Sequence, residues 1–251
     1  MSGLHALPRA LAVPALLLIA AEAAMRLGGG TTSDALAPPS AVARALAIGL
    51  GDGSLLAASL ATLAAAIGGL MLGGALGLLL GLLFGTVPAL ARLFSITVEA
   101  IRPVPAVALI PLALILFGFG YRLEISIVAF AAIWPMLVFT QSAVAGVEPR
   151  LIEVARALRL PLGARLWKIV IPFALPRIFV AFRLAAGVAL IVAVTVEIAV
   201  NPLGLGYGMT MAQQTLRPAE MLAYLVWIGV VGWVLNVALL AVQRRAFGRF
   251  M

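Results

Sequence analysis

An all-α, polytopic membrane fold with six transmembrane helices is what this sequence predicts, and three observations carry that reading. Of its 251 residues, 64% are hydrophobic and only 10% charged, whereas a soluble domain carries about 25% charged residues. No soluble fold of this size hides so much apolar surface. The apolar residues, which set a mean hydropathy of +1.19, fall into runs of about 20 or more, the length a helix needs to cross a bilayer. The basic residues, which give a net charge of +8, cluster between those runs. That placement reads as membrane topology with anionic lipid as the partner, and argues against nucleic acid.

Cysteine is absent, so the chain has no disulfide frame, thiolate metal site or cysteine nucleophile. The single histidine, His5, lies near a terminus and reads as a solvated or headgroup-level residue. No catalytic or metal-binding set is expected.

The first run, 7–25, carries Arg9 near its start; it contains Pro14 and Glu22 and lacks a small-residue cleavage site. It reads as a retained span rather than a signal peptide. Residues 27–40, with Pro38 and Pro39, form a loop, and 41–50 a short amphipathic segment at the surface. Between 54 and 87 there is no charged residue, so the second span is long, tilted or projecting beyond the hydrocarbon. Its Gly69, Gly73, Gly77 and Gly81 recur every four residues, which either marks a close helix interface or reflects the general abundance of small residues in membrane helices.

The third span, 93–102 continued through 104–119, is interrupted by Pro103, Pro105 and Pro111. Proline removes an amide donor and clashes with the preceding turn, so this span is expected to be kinked or broken. The fourth, 123–144, begins after only 118–122, which predicts an antiparallel hairpin. A charged stretch, 148–168, precedes a fifth span at 178–200. A Gly/Pro-rich loop, 201–208, and a more polar segment to Arg217 lead into the sixth, 220–242. The tail carries Arg244, Arg245 and Arg249. With six spans, thirteen of the 17 basic residues fall on the side of the termini, so both termini and the 148–168 stretch are expected in the cytoplasm.

Within that stretch Arg150, Glu153, Arg156 and Arg159 recur every three positions, with Leu151, Val154, Ala155 and Leu158 assigned to the opposite face. This is a short amphipathic helix, too charged to cross. Leu160 is pushed from helical geometry by Pro161, Gly163 permits a turn, and 164–170 forms a second short helix. Taken alone, an interfacial helix on the membrane would explain the pattern.

The order of residues from Glu153 to Pro176 resembles the permeases of binding-protein-dependent ABC importers, whose cytoplasmic loop carries a Glu-Ala-Ala motif, a glycine soon after and an apolar-proline step. Here the matching residues are Glu153, Val154 and Ala155, with Ile171-Pro172 nineteen positions beyond the glutamate and Leu175-Pro176 after it. Arg159 stands where the motif glycine is expected, Gly163 is the nearest glycine, and Val154 replaces the middle alanine. The nitrate, aliphatic sulfonate and taurine branch is resembled further through Pro38-Pro39-Ser40, Arg102-Pro103-Val104-Pro105, Leu109-Ile110-Pro111, Gly118-Phe119-Gly120, Glu197 and Gly204-Leu205-Gly206-Tyr207.

The resemblance implies the fold of a type I ABC importer permease. Its parts are an N-terminal helix and amphipathic segment over 1–53, a transmembrane type-1 domain over 54–243 with its coupling loop at 148–172, and a basic tail over 244–251. It implies a bacterial inner-membrane location, a second permease chain forming a homodimer, two ATP-binding subunits, and a periplasmic or lipid-anchored solute-binding protein. ATP and magnesium belong to the ATPase partner and no cofactor to this chain, which lacks a Gly-x-x-x-x-Gly-Lys-Ser/Thr loop; its only lysine is Lys168.

Glu153, Val154, Ala155, Arg156, Arg159 and Gly163 are thereby the candidates for coupling to the ATPase. Glu99, Arg102, Pro103, Pro105, Glu197, Gly204, Gly206 and Tyr207 are candidates for the pathway or its gate. Glu99 and Arg102, three apart, are expected to pair on one helix face in preference to contacting substrate. Glu197 is expected to face the cavity or support the glycine loop, itself either a docking or gate element or a simple turn with an interfacial tyrosine. Arg183 is expected to snorkel to the inner surface. The rival reading, an ATP-independent secondary transporter or channel, predicts inverted repeats and matched broken helices, and no such repeat is visible.

Overall fold

The computed structural model describes residues 6–27 and 36–247; His5 and Arg249 lie outside them. Among the described residues the regular structure is entirely helical. Four helical stretches are long and apolar enough to cross a membrane, and a bent pair makes a fifth.

α1 (Ala6–Leu27) occupies the position of the expected first span but is not one of these stretches, so up to five of the six expected spans are found among the described residues; it carries an Arg26–Glu22 ion pair of 2.6 Å near its end. α2 (Pro39–Gly51) is the predicted amphipathic segment. It does not simply lie on a surface, because its Leu46 packs with Leu55, Leu205, Val231 and Trp227 of other helices. α3 (Ser54–Thr86) has 33 residues, about 50 Å at 1.5 Å per residue, and so exceeds the hydrocarbon thickness as expected. α4 (Pro88–Ile101) and α5 (Ile110–Phe117), the latter preceded by a 3₁₀ turn at Ala106–Leu109, meet at a 79° bend. The break falls at Arg102–Pro105, where the prolines placed it.

α6 (Tyr121–Ala145) returns beside α5. α7 (Pro149–Ala157) and α8 (Leu162–Arg165) occupy the charged stretch, and α8 runs through a π turn at Leu166–Val170 into α9 (Ile171–Ala199). The fifth span thus begins earlier than expected, with Pro172 in the first turn of α9, directly after the π turn, and Pro176 inside the helix. α10 (Gly204–Gln214) replaces most of the predicted Gly/Pro loop, and α11 (Pro218–Phe247) is the last span.

α3, α6 and α9 form the core. Ala66, Leu70, Val128, Ala132, Met136, Ala181, Ala185 and Ala189 are buried together there. Alanine and glycine on the facing surfaces let the backbones approach closely. A Cβ at Gly69 would press on Val128, at Gly73 on the Ala129 backbone, at Gly77 on the Ile133 carbonyl and at Gly81 on Thr140, each closer than 3.0 Å. The four-residue glycine repeat is therefore a helix interface, with α6 as its partner. The chain directions give the bundle two ends. The basic end holds α7, α8 and the close of α11; the opposite end holds the start of α6, the close of α9, and α10.

Candidate functional site

At the basic end, α7 leaves α6 through Gly146, where Arg177 of α9 lies so close that a Cβ would touch its guanidinium. Arg177 also stands 5.9 Å over the Phe173 ring. α7 stops at Ala157, three residues before Leu160. The amide of Leu160 donates to the Ala155 carbonyl at 3.0 Å, and Arg159 between them has φ 51°. This is the six-to-one hydrogen bond and left-handed residue that close a helix in a Schellman motif. Arg159 thus takes the backbone conformation for which glycine is favoured, at the position where the motif glycine was expected. Gly163 makes no turn, for it lies within α8.

The predicted apolar face of α7 is divided. Ala155 is 0% exposed and Ile152 packs on the main core, whereas Val154 is 54% and Leu158 66% exposed. Successive helical residues are separated by about 100°, so Val154 and Ala155 cannot share one contact. Ala155 is enclosed, and Ile152 turns to the bundle. Leu151, Val154 and Leu158 form a second, uncovered apolar strip; Glu153 and Arg159 are exposed, and Trp167 is 73% exposed farther along. The segment therefore has one face anchored to the spans and another presented outward. Arg183 reaches the close of α11 at the basic end, where its guanidinium donates to Gln243 at 3.0 Å.

The pathway and gate candidates do not form one site. Glu99, Arg102, Pro103 and Pro105 lie on α4 and at the break after it, with their side chains exposed. Glu99 and Arg102 form no ion pair; among the described residues the ion pairs are Arg26–Glu22 and Arg217–Glu220. Both side chains are solvent-accessible, so nothing offsets the entropy of holding them together.

Glu197, Gly204 and Gly206 do meet, at the opposite end. The Gly206 amide donates to Glu197 Oε2 at 2.8 Å, and the Leu205 amide to Thr62 Oγ1 at 2.9 Å. These bonds satisfy two amides at the start of α10, where helix N–H groups lack intrahelical partners. Gly204 has φ +82°, and a Cβ there would enter the Glu197 carboxyl; one at Gly206 would strike the Val194 carbonyl. Glu197 therefore supports the glycine segment and is 1% exposed. Tyr207 lines, with Ala57, Ala61, Met211 and Tyr224, a cavity of about 520 Å³ beside α10.

Sequence reasoning missed Glu124 and Asn201. Asn201 accepts from the Gly120 amide and donates to Glu124 Oε2, both at 2.8 Å. It ties the α5–α6 turn to the end of α9. The available signal was a lone glutamate in the first turn of an apolar run. A second cavity of about 530 Å³ lies between α2 and α11, with Arg44, Asp52 and Arg217 on its wall. The backbone amide and hydroxyl of Ser54 hold the Asp52 carboxyl below its ordinary range.

A family model described as binding-protein-dependent transport system inner membrane component matches residues 73–250. A protein of Methanocaldococcus jannaschii named as a candidate ABC transporter permease is 34% identical over 79% of this chain and 74% of its own length. The taurine transport system permease protein of Escherichia coli is 30% identical over 64% of this chain and 58% of its own. Among solved structures, a chain of the MetNI methionine ABC transporter in an inward-facing conformation superposes with a TM-score of 0.68. It has 23% identity and covers 76% of this chain and 95% of that one.

Proposed function

The chain belongs to the binding-protein-dependent transport system inner membrane components, the permeases of ABC importers, and on that premise we propose how it works. Two copies enclose a solute path, each gripping one ATP-binding subunit through α7 and the residues up to Val170. ATP and magnesium bind on those subunits. A solute-binding protein, periplasmic or lipid-anchored, delivers the solute to the opposite end, and both termini lie in the cytoplasm, which receives most of the arginines.

One observation carries this reading: α7 packs on the bundle through Ile152 and buries Ala155, while Leu151, Val154 and Leu158 stay uncovered between charged residues. A lever between a motor and a set of spans requires both faces. An interfacial helix requires only one apolar face, directed at lipid. Glu153 and Arg159 at the rim supply polar contacts that fix register on the ATPase.

The solute is a small anion, in line with the sulfonate group of taurine, the substrate named for one relative. The buried carboxyl of Glu197 does not oppose this, because it is enclosed and bonded to Gly206 rather than facing the path. The exposed apolar residues of α4 and α5, including Ile96, Leu112 and Ile115, are the surface available for the second copy and for lipid.

The test is reconstitution in liposomes with the ATPase and binding protein encoded beside this chain. Uptake of taurine or nitrate that requires ATP and the binding protein is expected. Uptake by this chain alone, driven by an ion gradient, would establish the secondary-transporter reading instead.

A further inference from the structure

Positive charge is scarce at the end of the bundle where α3, α6 and α11 begin: of the 17 basic residues, only Arg26, Arg44, Arg122 and Arg217 belong there. Three of these four gather about α2. Arg26 pairs with Glu22 at 2.6 Å, and Glu22 accepts from the amide and hydroxyl of Ser40 at 3.0 and 2.7 Å. Ser40, Arg44 and Arg217 in turn line the cavity of about 530 Å³ between α2 and α11, a volume in the range of small-ligand sites. Arginines brought together against the positive-inside bias call for an anion to face them.

The cavity wall carries both signs of charge, with Asp52 and Glu220 beside the two arginines. Arg44 forms no ion pair among the described residues, and Arg217 reaches Glu220 only at 3.4 Å with both side chains well exposed, a contact worth little and readily exchanged. Asp52 accepts from the Ser54 amide at 2.8 Å and stays exposed, with lone pairs to spare. Guanidinium groups hold phosphate through paired hydrogen bonds. Carboxylates accept from a primary ammonium, whereas a quaternary ammonium has no N–H to donate and is held instead by an aromatic cage, for which Tyr224 alone is present on this wall. Two positive and two negative side chains therefore match a ligand that is itself a zwitterion with a primary amine.

The apolar part of the wall says where such a ligand comes from. Ala219 and Ala223 of α11 line the cavity, and Val226, Val230, Val234 and Val237 continue their row at steps of three and four, all exposed. At 100° per residue these six positions fall within about 80° of arc. From Val226 to Val237 the helix rises about 16 Å, close to the roughly 15 Å of hydrocarbon in one leaflet. Only 6% of the apolar window of α11 is buried. We propose that the groove between α2 and α11 binds an ethanolamine phospholipid, its phosphate between Arg44 and Arg217, its ammonium at Asp52 and Glu220, and its acyl chains along the valine row of α11. The lipid braces α2 against α11. The inference rests on the membrane fold alone and needs no ATPase.

The test titrates the full chain, purified in neutral detergent without partners, with ethanolamine, choline and glycerol phospholipids of identical acyl chains, and counts bound lipid by native mass spectrometry. The ethanolamine lipid is expected to bind about tenfold more tightly than either of the others. Arg44→Gln with Arg217→Gln is expected to weaken it by about tenfold or more. Asp52→Asn with Glu220→Gln should erase the preference for ethanolamine over choline while both lipids still bind. All four side chains are exposed, so these variants are expected to keep the wild-type unfolding midpoint; Arg44→Gln alone, which breaks no ion pair among the described residues, serves if a double variant does not. Glycerophosphoethanolamine, the same headgroup without chains, should fail to compete at the concentration at which the lipid saturates. Equal affinity for the three lipids, arginine variants that bind as wild type does, or competition by the chain-free headgroup, which would mark a site for a soluble amine-bearing anion, would each overturn the proposal.

Discussion

The amide of Leu160 bonds to the carbonyl of Ala155 at 3.0 Å, over an arginine in the left-handed conformation. Ala155 is at the same time fully buried, and Ile152 of the same helix packs on the main core. One short stretch thus fixes the position of the helix and its end. For an L-residue with a Cβ the left-handed conformation costs roughly 1–2 kcal/mol. Arg159→Gly is expected to raise stability by about 1 kcal/mol, read as a higher midpoint in thermal unfolding in detergent. Arg159→Val should lower it, since β-branching makes the same φ worse.

The α3–α6 contact predicts a contrast between two glycines. A Cβ at Gly77 meets the Ile133 carbonyl and Met136, both closer than 3.0 Å, whereas one at Gly187 of α9 meets nothing within 4 Å. Gly77→Val is expected to cost about 1–3 kcal/mol through overpacking. Gly187→Ala should be neutral or stabilising by up to about 1 kcal/mol, since alanine is the better helix former. Denaturant unfolding in mixed micelles measures both.

Gly204 and Gly53 separate backbone strain from steric exclusion. Both have positive φ, +82° and +78°, but only at Gly204 would a Cβ meet another group, the Glu197 carboxyl. Gly53→Ala carries the conformational cost alone, about 1–2 kcal/mol. Gly204→Ala should cost more and should also expose the Gly206 amide to hydrogen exchange. Equal costs with unchanged exchange would show that Glu197 yields without releasing α10.

Hydropathy made the spans legible, because an apolar run of bilayer length has few other folds available to it. The prolines of 103–111 located the break, and the charged stretch located α7. What the pattern concealed was pairing in space. Glu124 and Asn201 are 77 residues apart in the chain, and no periodicity joins them. Gly204-Leu205-Gly206 reads as a turn, yet Gly204 opens α10 and Gly206 lets it pack on the Val194 carbonyl of α9. The face of α7 misleads for a related reason: four small or apolar residues look like one stripe until the fold buries Ala155 and leaves Val154 outside.

The central claim is that α7 transmits the work of an ATPase to the spans. It is tested most directly by reversing charge with Glu153→Arg and Arg156→Glu together in the reconstituted importer, and measuring ATP hydrolysis and solute uptake side by side. Insertion and the fold should be retained, because Glu153 is exposed and the reversal leaves Ala155 in place, while uptake and its stimulation of hydrolysis fall by at least about tenfold, the effect of losing about 1.4 kcal/mol at the contact. Uptake equal to wild type would contradict the claim and remove α7 from the mechanism.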